Sequence, residues 1–339
     1  MLATAKTNAL YSPLLKRNLI SQDGRTTAVT VTIRRDRRDS AFNQQLFGAI
    51  ERLLEPLRQD FDEVFQLGPP RVNIEIERAM YRDLWRLTPM ATVILVGSIL
   101  LFLGTGLAAV LPLITAGVSA LWTFGFMGYC GIPVTLLTIL LPSLLVVIGS
   151  AEDTHMMAEY LHAVASGHGD RQAAVRHMAS KLALPIVINA FTTVLGFYAN
   201  AFNDIILIQQ FAYASSFAMA ASLVSTVLVL PLVVSFVTPK QIRLAPQNEQ
   251  PRGMVGAAVR QSERLGTRHR RAVVATVVGL MVVFGCLSLR MQVTNDPLSY
   301  FKPTHPLVRD AQTLKDDLAG MSVFFLTLEG REPGTFKRP

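Results

Sequence analysis

Charged residues are missing from a long stretch of this chain. Residues 87–151, 65 in a row, contain no Asp, Glu, Lys, Arg or His. Over all 339 residues, 17% are charged and 50% are hydrophobic, whereas soluble domains carry about 25% charged residues. The composition therefore excludes an ordinary soluble domain and indicates a protein that spans a membrane.

Cysteines and enzyme motifs are also scarce. The two cysteines, Cys130 and Cys286, both lie in apolar segments, so they predict neither a disulfide framework nor a metal site. His155 and His162 lack the spacing of a zinc protease. The sequence has no P-loop and no Rossmann glycine fingerprint. We therefore expect no enzyme, no cofactor and no bound metal.

The formal net charge of +8 raises the question of a nucleic-acid partner. No basic stripe is interleaved with aromatic residues, which argues against nucleic acid. The densest basic segment is 238–271, with eight Lys or Arg and two Glu. Short basic loops face the cytoplasm. By alternation across the spans, the N-terminal region then lies outside.

Glycine and proline divide the apolar sequence into membrane spans. Two breakers, Gly104-Thr105-Gly106 and Gly131-Ile132-Pro133, interrupt the uncharged stretch. A crossing needs about 20 residues, so this stretch predicts three spans and the remainder predicts three more. The six approximate spans are 89–103, 107–129, 133–151, 182–203, 205–239 and 272–289.

The regions outside the spans read as soluble α/β segments. The alternating β-branched residues of 26–33 predict a strand, and 72–76 predicts a second. Between them an apolar stripe at three- and four-residue steps predicts an amphipathic helix, formed by Leu46, Phe47, Ile50, Leu53, Leu54 and Leu57. Residues 322–330 are also typical of a strand. We expect a chain that begins inside one soluble domain and ends inside another, as part of a longer protein or a truncated one.

The first charges after the long apolar stretch are two neighbouring acids, Glu152 and Asp153, followed by His155. On a helix, Glu152 and His155 share one face and Asp153 lies on the adjacent one, with Met156, Met157 and Tyr160. Paired carboxylates at low dielectric can take up a proton at physiological pH, as a proton-driven transporter requires. The alternative is that the span ends here and its acids lie in water.

Polar residues also mark three other spans. Asn189, Thr192 and Thr193 form a polar face of the fourth span, which either lines a polar path or bonds to a neighbouring helix. In the second span, small residues that include Ser119 and Thr123 predict close helix packing. The opening of the fifth span carries Gln209, Gln210, Ser215 and Ser216, for which interface solvation is the favoured explanation over function.

Several passages together resemble the RND (resistance–nodulation–division) superfamily, in particular the MMPL-type and hopanoid-exporter-like permeases with a sterol-sensing-domain arrangement. LLPSLLVVIGSAEDTHMMAEYL resembles their fourth helix, and ALPIVINAFTTVLGFYANAFNDI resembles their fifth. The passage ending VLVLPLVVSF resembles the sixth, and NDPLSYFKPTHPLVRDAQTL resembles the opening of the second periplasmic loop. DGRTTAVTVTI and GPPRVNIEIERAM resemble the end of the first periplasmic loop.

The resemblance implies a polytopic α-helical membrane protein with about six transmembrane helices, flanked by partial α/β periplasmic domains. It implies a proton-motive-force-driven exporter of hydrophobic or lipid-like substrates in the bacterial inner membrane. The lipid bilayer and the substrate are the expected partners, and a homo-oligomer or a periplasmic adaptor stays open. The expected domains are the end of a porter-like domain at 1–85, a five-helix bundle at 86–237, a cytoplasmic linker at 238–271, a helix at 272–289 and the start of a second periplasmic domain at 290–339.

The family's proton-relay acids correspond to Asp153 if Gly149 anchors the comparison, and to Glu152 and Asp153 together if the acidic triplet does. Asp153 is therefore the first candidate for the relay and Glu152 the second. His155 resembles a histidine that follows the acids in lipid-exporter-like members. The rival functions are a sterol-sensing-type lipid receptor or regulator and a non-functional truncated permease.

Overall fold

The part of the protein that the structure describes is mostly helical, and residues 15–33 form turns and isolated bridges. This computed structural model describes residues 12, 15–33, 42–103, 106–165, 171–236, 261, 269–292, 296–318 and 320. Nine of the helices in these residues are labelled here in chain order. They are α1 Phe42–Leu54, α2 Pro69–Leu103, α3 Gly106–Cys130, α4 Leu141–Leu144, α5 Ser150–Ala165, α6 Arg171–Tyr198, α7 Ile206–Phe236, α8 Arg270–Ser288 and α9 Pro306–Asp317.

Tighter and wider turns adjoin these helices. Four are 3₁₀ segments, at Glu55–Gln59, Thr138–Leu140, Ala199–Phe202 and Pro297–Tyr300. The fifth, Leu145–Gly149, is a π-helical turn that joins α4 to α5. The chain from Thr138 to Val164 therefore forms one continuous helical span.

Six helical segments are long and apolar enough to cross a membrane, which confirms the predicted number of spans. They are Pro69–Leu101, Ala108–Cys130, Thr138–Val164, Gln172–Phe202, Ile206–Ser235 and Arg270–Ser288. Their ends differ from the predicted ones because polar residues continue several helices. The third helical segment extends past Ala151 to Val164, and both acids on it are buried, which argues against the alternative that they lie in water.

The predicted strand at 72–76 is wrong, because these residues lie in the first turns of α2. Pro69 and Pro70 suit the start of a helix, where no backbone N–H is needed. Val72 and Ile74 are buried, as a strand would also have placed them. Over five residues, an alternating apolar pattern does not distinguish a strand from the buried side of a helix.

The predicted strand at 26–33 is also not formed. The described residues around it contain only isolated bridges, one of them between Ile20 and Thr27. Val29 is 87% exposed, and a strand without partners is unstable in water. The strand predicted at 322–330 lies outside the described residues. The amphipathic helix predicted between the two strands is confirmed as α1.

The chain divides into two compact units, Met80–Arg290 and the pair Met1–Ala79 with Met291–Pro339. In the first of these, the membrane unit, α7 packs against both α3 and α6. In a lipid environment such packing, and not exclusion of water, holds helices together. The largest fully buried side chains of this core are Tyr160, Leu111, Met127, Leu141, Leu145, Met157, Met178 and Leu230.

Gly149 lies at a close approach of the third span to α7. A Cβ atom added at Gly149 would lie 2.7 Å from Ser222 Oγ, well inside ordinary contact distance. Gly149 ends the π-helical turn, and α5 with its two acids begins at the next residue. The absence of a side chain here therefore allows α7 to lie close to the helix that carries the acids.

In the other unit, α9 is fixed to the start of α2 by polar contacts. Arg71 Nη1 lies 2.7 Å from Asp310 Oδ2, with both side chains less than one-fifth exposed. The same guanidinium donates to the Gln66 carbonyl. Thr26 donates a 2.7 Å hydrogen bond to Asp317. Residues from both ends of the chain thus form one unit.

The Gly149 contact predicts a specific stability change. We expect Gly149→Ala to lower the free energy of unfolding by about 1–2 kcal/mol, because the new methyl group overpacks the contact with Ser222. Thermal unfolding of the purified protein in detergent measures this. Gly196→Ala is the control, since a Cβ there meets nothing within 4 Å; it should be neutral or slightly stabilising.

Removing the Ser222 hydroxyl should reverse the Gly149→Ala effect. In Gly149→Ala/Ser222→Ala the nearest remaining atom of residue 222 is its Cβ, 4.0 Å away, an ordinary contact distance. The double variant should therefore unfold near the wild-type temperature. If Gly149→Ala unfolds at the same temperature as Gly196→Ala, the close approach does not constrain the packing.

The Arg71–Asp310 pair predicts a local stability change in α9. We expect Arg71→Ala to lower the protection of α9 amides by about 1–3 kcal/mol, because Asp310 is left partly buried without its partner. Hydrogen exchange measured by mass spectrometry reports this. Arg58→Ala is the control, since Arg58 pairs with Glu51 and Glu55 at a more exposed site. Equal protection of α9 in both variants would contradict the prediction.

Candidate functional site

Asp153 lies fully buried in the interior of the membrane unit. Its side chain is 0% exposed, and the 27-residue span that carries it has Asp153 just past its middle. Thr226 on α7 donates a 2.7 Å hydrogen bond to Asp153 Oδ1. Thr115 on α3 donates to Asp153 Oδ2. Each carboxylate oxygen thus has a hydroxyl donor from a different helix.

The position of Asp153 follows from the apolar pattern of α5. Met156, Met157 and Tyr160 are each at most 3% exposed. They recur at three-, four- and seven-residue steps from Asp153, and therefore share its face. The predicted grouping of these four side chains is thus observed. The packing of three large side chains carries the carboxyl group into the interior with them.

No cation neutralises Asp153 in the part of the chain that the structure describes. No Lys, Arg or His there lies within ion-pair distance of it, and neither α3 nor α7 contains a charged residue. A carboxylate inside a span costs about 2.5–3.5 kcal/mol on insertion scales. Binding a proton removes that charge, so the site has the composition of a proton-binding position.

Glu152 points to a different neighbour. It is 8% exposed, and Asn189 Nδ2 on α6 donates a 3.0 Å hydrogen bond to its Oε1. A small cavity of about 10 Å³ lies beside the carboxyl group, close to the minimum that one water molecule needs. The cavity is lined by Ile148, Glu152, Ala190, Thr193, Met219 and Ser222.

Of the other predicted site residues, only some lie near the two acids. His155 is exposed, and no hydrogen bond joins it to either acid among the described residues. Thr193 lines the cavity beside Glu152 and donates to the Asn189 carbonyl. Thr192 is exposed and donates to backbone carbonyls of its own helix. The structure thus brings Asn189 and Thr193 to the acids, but not Thr192 or His155.

Thr115 and Thr226 are the site residues that the sequence analysis missed. Thr115, Ser119 and Thr123 recur at four-residue steps on α3, and all three are buried. Ser222, Ser225 and Thr226 form a comparable group on α7. For Ser119 and Thr123 the sequence pattern predicts only close packing. The four-residue recurrence of hydroxyls in an uncharged helix is the signal that could have identified the Asp153 neighbours.

The described residues contain no group of three His, Cys, Asp or Glu side chains arranged to hold a metal ion. Asp153 has two hydroxyl groups around it and Glu152 has one amide. The hydrogen-bond donors found at both carboxyl groups are therefore neutral.

One comparison with known proteins covers most of the chain. No curated protein matches it. The family model described as the MMPL family matches residues 4–276, a range that includes α1 to α7, both acids and their hydrogen-bond partners. The match confirms the resemblance found in the sequence, and the chain belongs to the MMPL family of RND-type permeases.

Proposed function

We propose that this multi-pass membrane protein is a proton-motive-force-driven exporter of hydrophobic or lipid-like substrates in the bacterial inner membrane. The observation that carries the proposal is Asp153, a fully buried carboxyl group in mid-span with no cation beside it among the described residues. Membership of the MMPL family supports a permease. Buried acids within spans commonly mark proton relays.

In this proposal Asp153 is the group that binds and releases the coupling proton. Glu152 adjoins it in the sequence and borders the small cavity, so it is the point at which a water molecule can deliver a proton. Asn189 holds the Glu152 side chain through its amide. His155, exposed on α5, is the third relay candidate.

Asp153 would couple proton movement to export if it released its proton to one side of the membrane and took up the next from the other side. Each change of charge alters the electrostatic energy of α5 against α3 and α7, the helices that hold Asp153 by its two oxygens. A shift of these helices is then the step that proton movement drives. The support for a lipid-like cargo is the family membership and the apolar character of the spans, since a cargo dissolved in the bilayer can reach them laterally.

Neutralising Asp153 tests this function. In vesicles loaded with a pH-sensitive dye and containing a fluorescent phospholipid analogue as the probe cargo, we expect Asp153→Asn to reduce cargo-dependent proton flux at least tenfold. Glu152→Gln should reduce it by a few fold, since Glu152 has access to the cavity but is not enclosed by donors. Asp204→Asn is the matched control, because Asp204 is exposed between α6 and α7.

The same assay separates the proposal from its rival. A sterol-sensing-type receptor would bind the lipid probe while the wild-type vesicles moved no protons. Proton flux that persists in Asp153→Asn at the level of Asp204→Asn would show that coupling does not pass through this carboxyl group.

A further inference from the structure

The Thr115 hydroxyl has one proton to donate but lies within hydrogen-bond distance of three acceptor oxygens. Its oxygen lies 3.3 Å from the Leu111 carbonyl oxygen and 3.0 Å from the Pro112 carbonyl oxygen, and it also contacts Asp153 Oδ2. A threonine hydroxyl has one proton to donate and two lone pairs that accept. It can therefore donate to the carboxylate or to the backbone, and in the second case its oxygen is free to accept from Asp153.

Thr226 is arranged differently. Its hydroxyl donates to Asp153 Oδ1 at 2.7 Å, and no bond to a backbone carbonyl of α7 is found for it in the described residues. Threonine hydroxyls in helices ordinarily donate to the carbonyl three or four residues earlier, as Thr123 does to Ser119. Thr226 thus departs from the arrangement that helix packing alone would favour.

The backbone at Thr115 is fixed while its hydroxyl proton can rotate. The Thr115 carbonyl accepts from Ser119 Oγ at 2.7 Å and from Ser225 Oγ at 3.1 Å. The second of these bonds joins α7 to α3 beside Thr226. A change in the direction of the Thr115 O–H bond therefore requires no movement of either helix.

The hydrogen bonds balance in both charge states of Asp153. When the carboxyl group is ionised, Thr115 and Thr226 each donate to one of its oxygens. When it is protonated on Oδ2, the carboxyl O–H donates to Thr115 Oγ1, and Thr115 turns its own proton to the Pro112 carbonyl. Thr226 donates to Oδ1 in both states. No buried donor loses its acceptor, a loss that would cost about 1–3 kcal/mol.

We propose that Thr115 and Thr226 are positioning residues of the proton site, with Thr226 a constant donor and Thr115 a hydroxyl that reverses its hydrogen bond when Asp153 gains a proton. This inference rests on the proposed function, and the hydrogen-bond geometry at Asp153 supports it.

Neither α3 nor α7 presents a charged group to Asp153, and on its own helix the adjacent acid is Glu152. On α6, which also packs against α5, His177 and Lys181 pair with Glu159. The groups found at Asp153 are therefore the two hydroxyls and the neighbouring Glu152.

Infrared titration of the purified protein tests this directly. The C=O stretching band of protonated Asp153 is identified as the band that Asp153→Asn removes, and it is followed against pH. Thr226→Val removes a hydrogen bond that is about twice as strong when Asp153 is ionised as when it is protonated. We therefore expect the midpoint of the band to move to higher pH by about one unit.

Thr115→Val should act differently, because it removes a donor from the ionised form and an acceptor from the protonated form. We expect its midpoint to move by less than half as much as that of Thr226→Val. Thr115→Ser and Thr226→Ser keep the hydroxyl groups and should titrate within about 0.3 unit of the wild type. Thr226→Ala, compared with Thr226→Ser, repeats the test without a β-branched side chain if Thr226→Val does not fold.

The outcomes separate the two proposals. An unchanged midpoint in Thr226→Val and Thr226→Ala overturns the hydroxyl assignment, even if Asp153→Asn abolishes proton flux in vesicles. Equal shifts in Thr115→Val and Thr226→Val overturn the reversal at Thr115. Midpoints that move as expected in a protein whose vesicles carry no proton flux support the hydroxyl assignment and refute the exporter function.

Discussion

A carboxyl group buried in a membrane span without a cation is the constraint on which the rest of this site depends. Water is absent from the bilayer interior, so every polar group there must find its partner within the protein. Asp153 finds its partners in Thr115 and Thr226, on two helices that are distant in the sequence. The close approach of Gly149 to Ser222 holds α7 beside the same helix. The packing of α3, the third span and α7 thus also supplies the hydrogen bonds that stabilise the Asp153 carboxyl group.

The sequence predicted the membrane architecture well because the signal is strong. An uncharged run of 65 residues leaves little choice other than several spans, and all six predicted spans are present. The soluble segments were harder, because 72–76 is too short to distinguish a strand from a helix by its pattern. A strand at 26–33 would also need partners to pair with, and the described residues supply only an isolated bridge at Thr27.

The sequence predicts the acids of the candidate site but not the hydroxyl groups that bind them. Asp153 and Glu152 are conspicuous as the first charges after a long apolar run. Thr115 and Thr226 are ordinary residues in ordinary apolar helices, and their role depends on which faces of three helices meet. The burial of Asp153 was undecidable from the sequence, because it depended on whether the helix ended at Ala151 or continued. The domain boundaries at 1–85, 86–237, 238–271, 272–289 and 290–339 stay predictions.

The hydrogen bond between Thr26 and Asp317 joins residues 291 positions apart. A ribosome that adds about 5–20 residues per second needs roughly 15–60 s to pass from the first residue to the second. During that interval the N-terminal part of this unit has been synthesised but its C-terminal part has not, while most of the spans are being made. Its order of assembly is therefore set by synthesis and membrane insertion, and the N-terminal part is exposed to aggregation or to chaperones until the C-terminal part arrives.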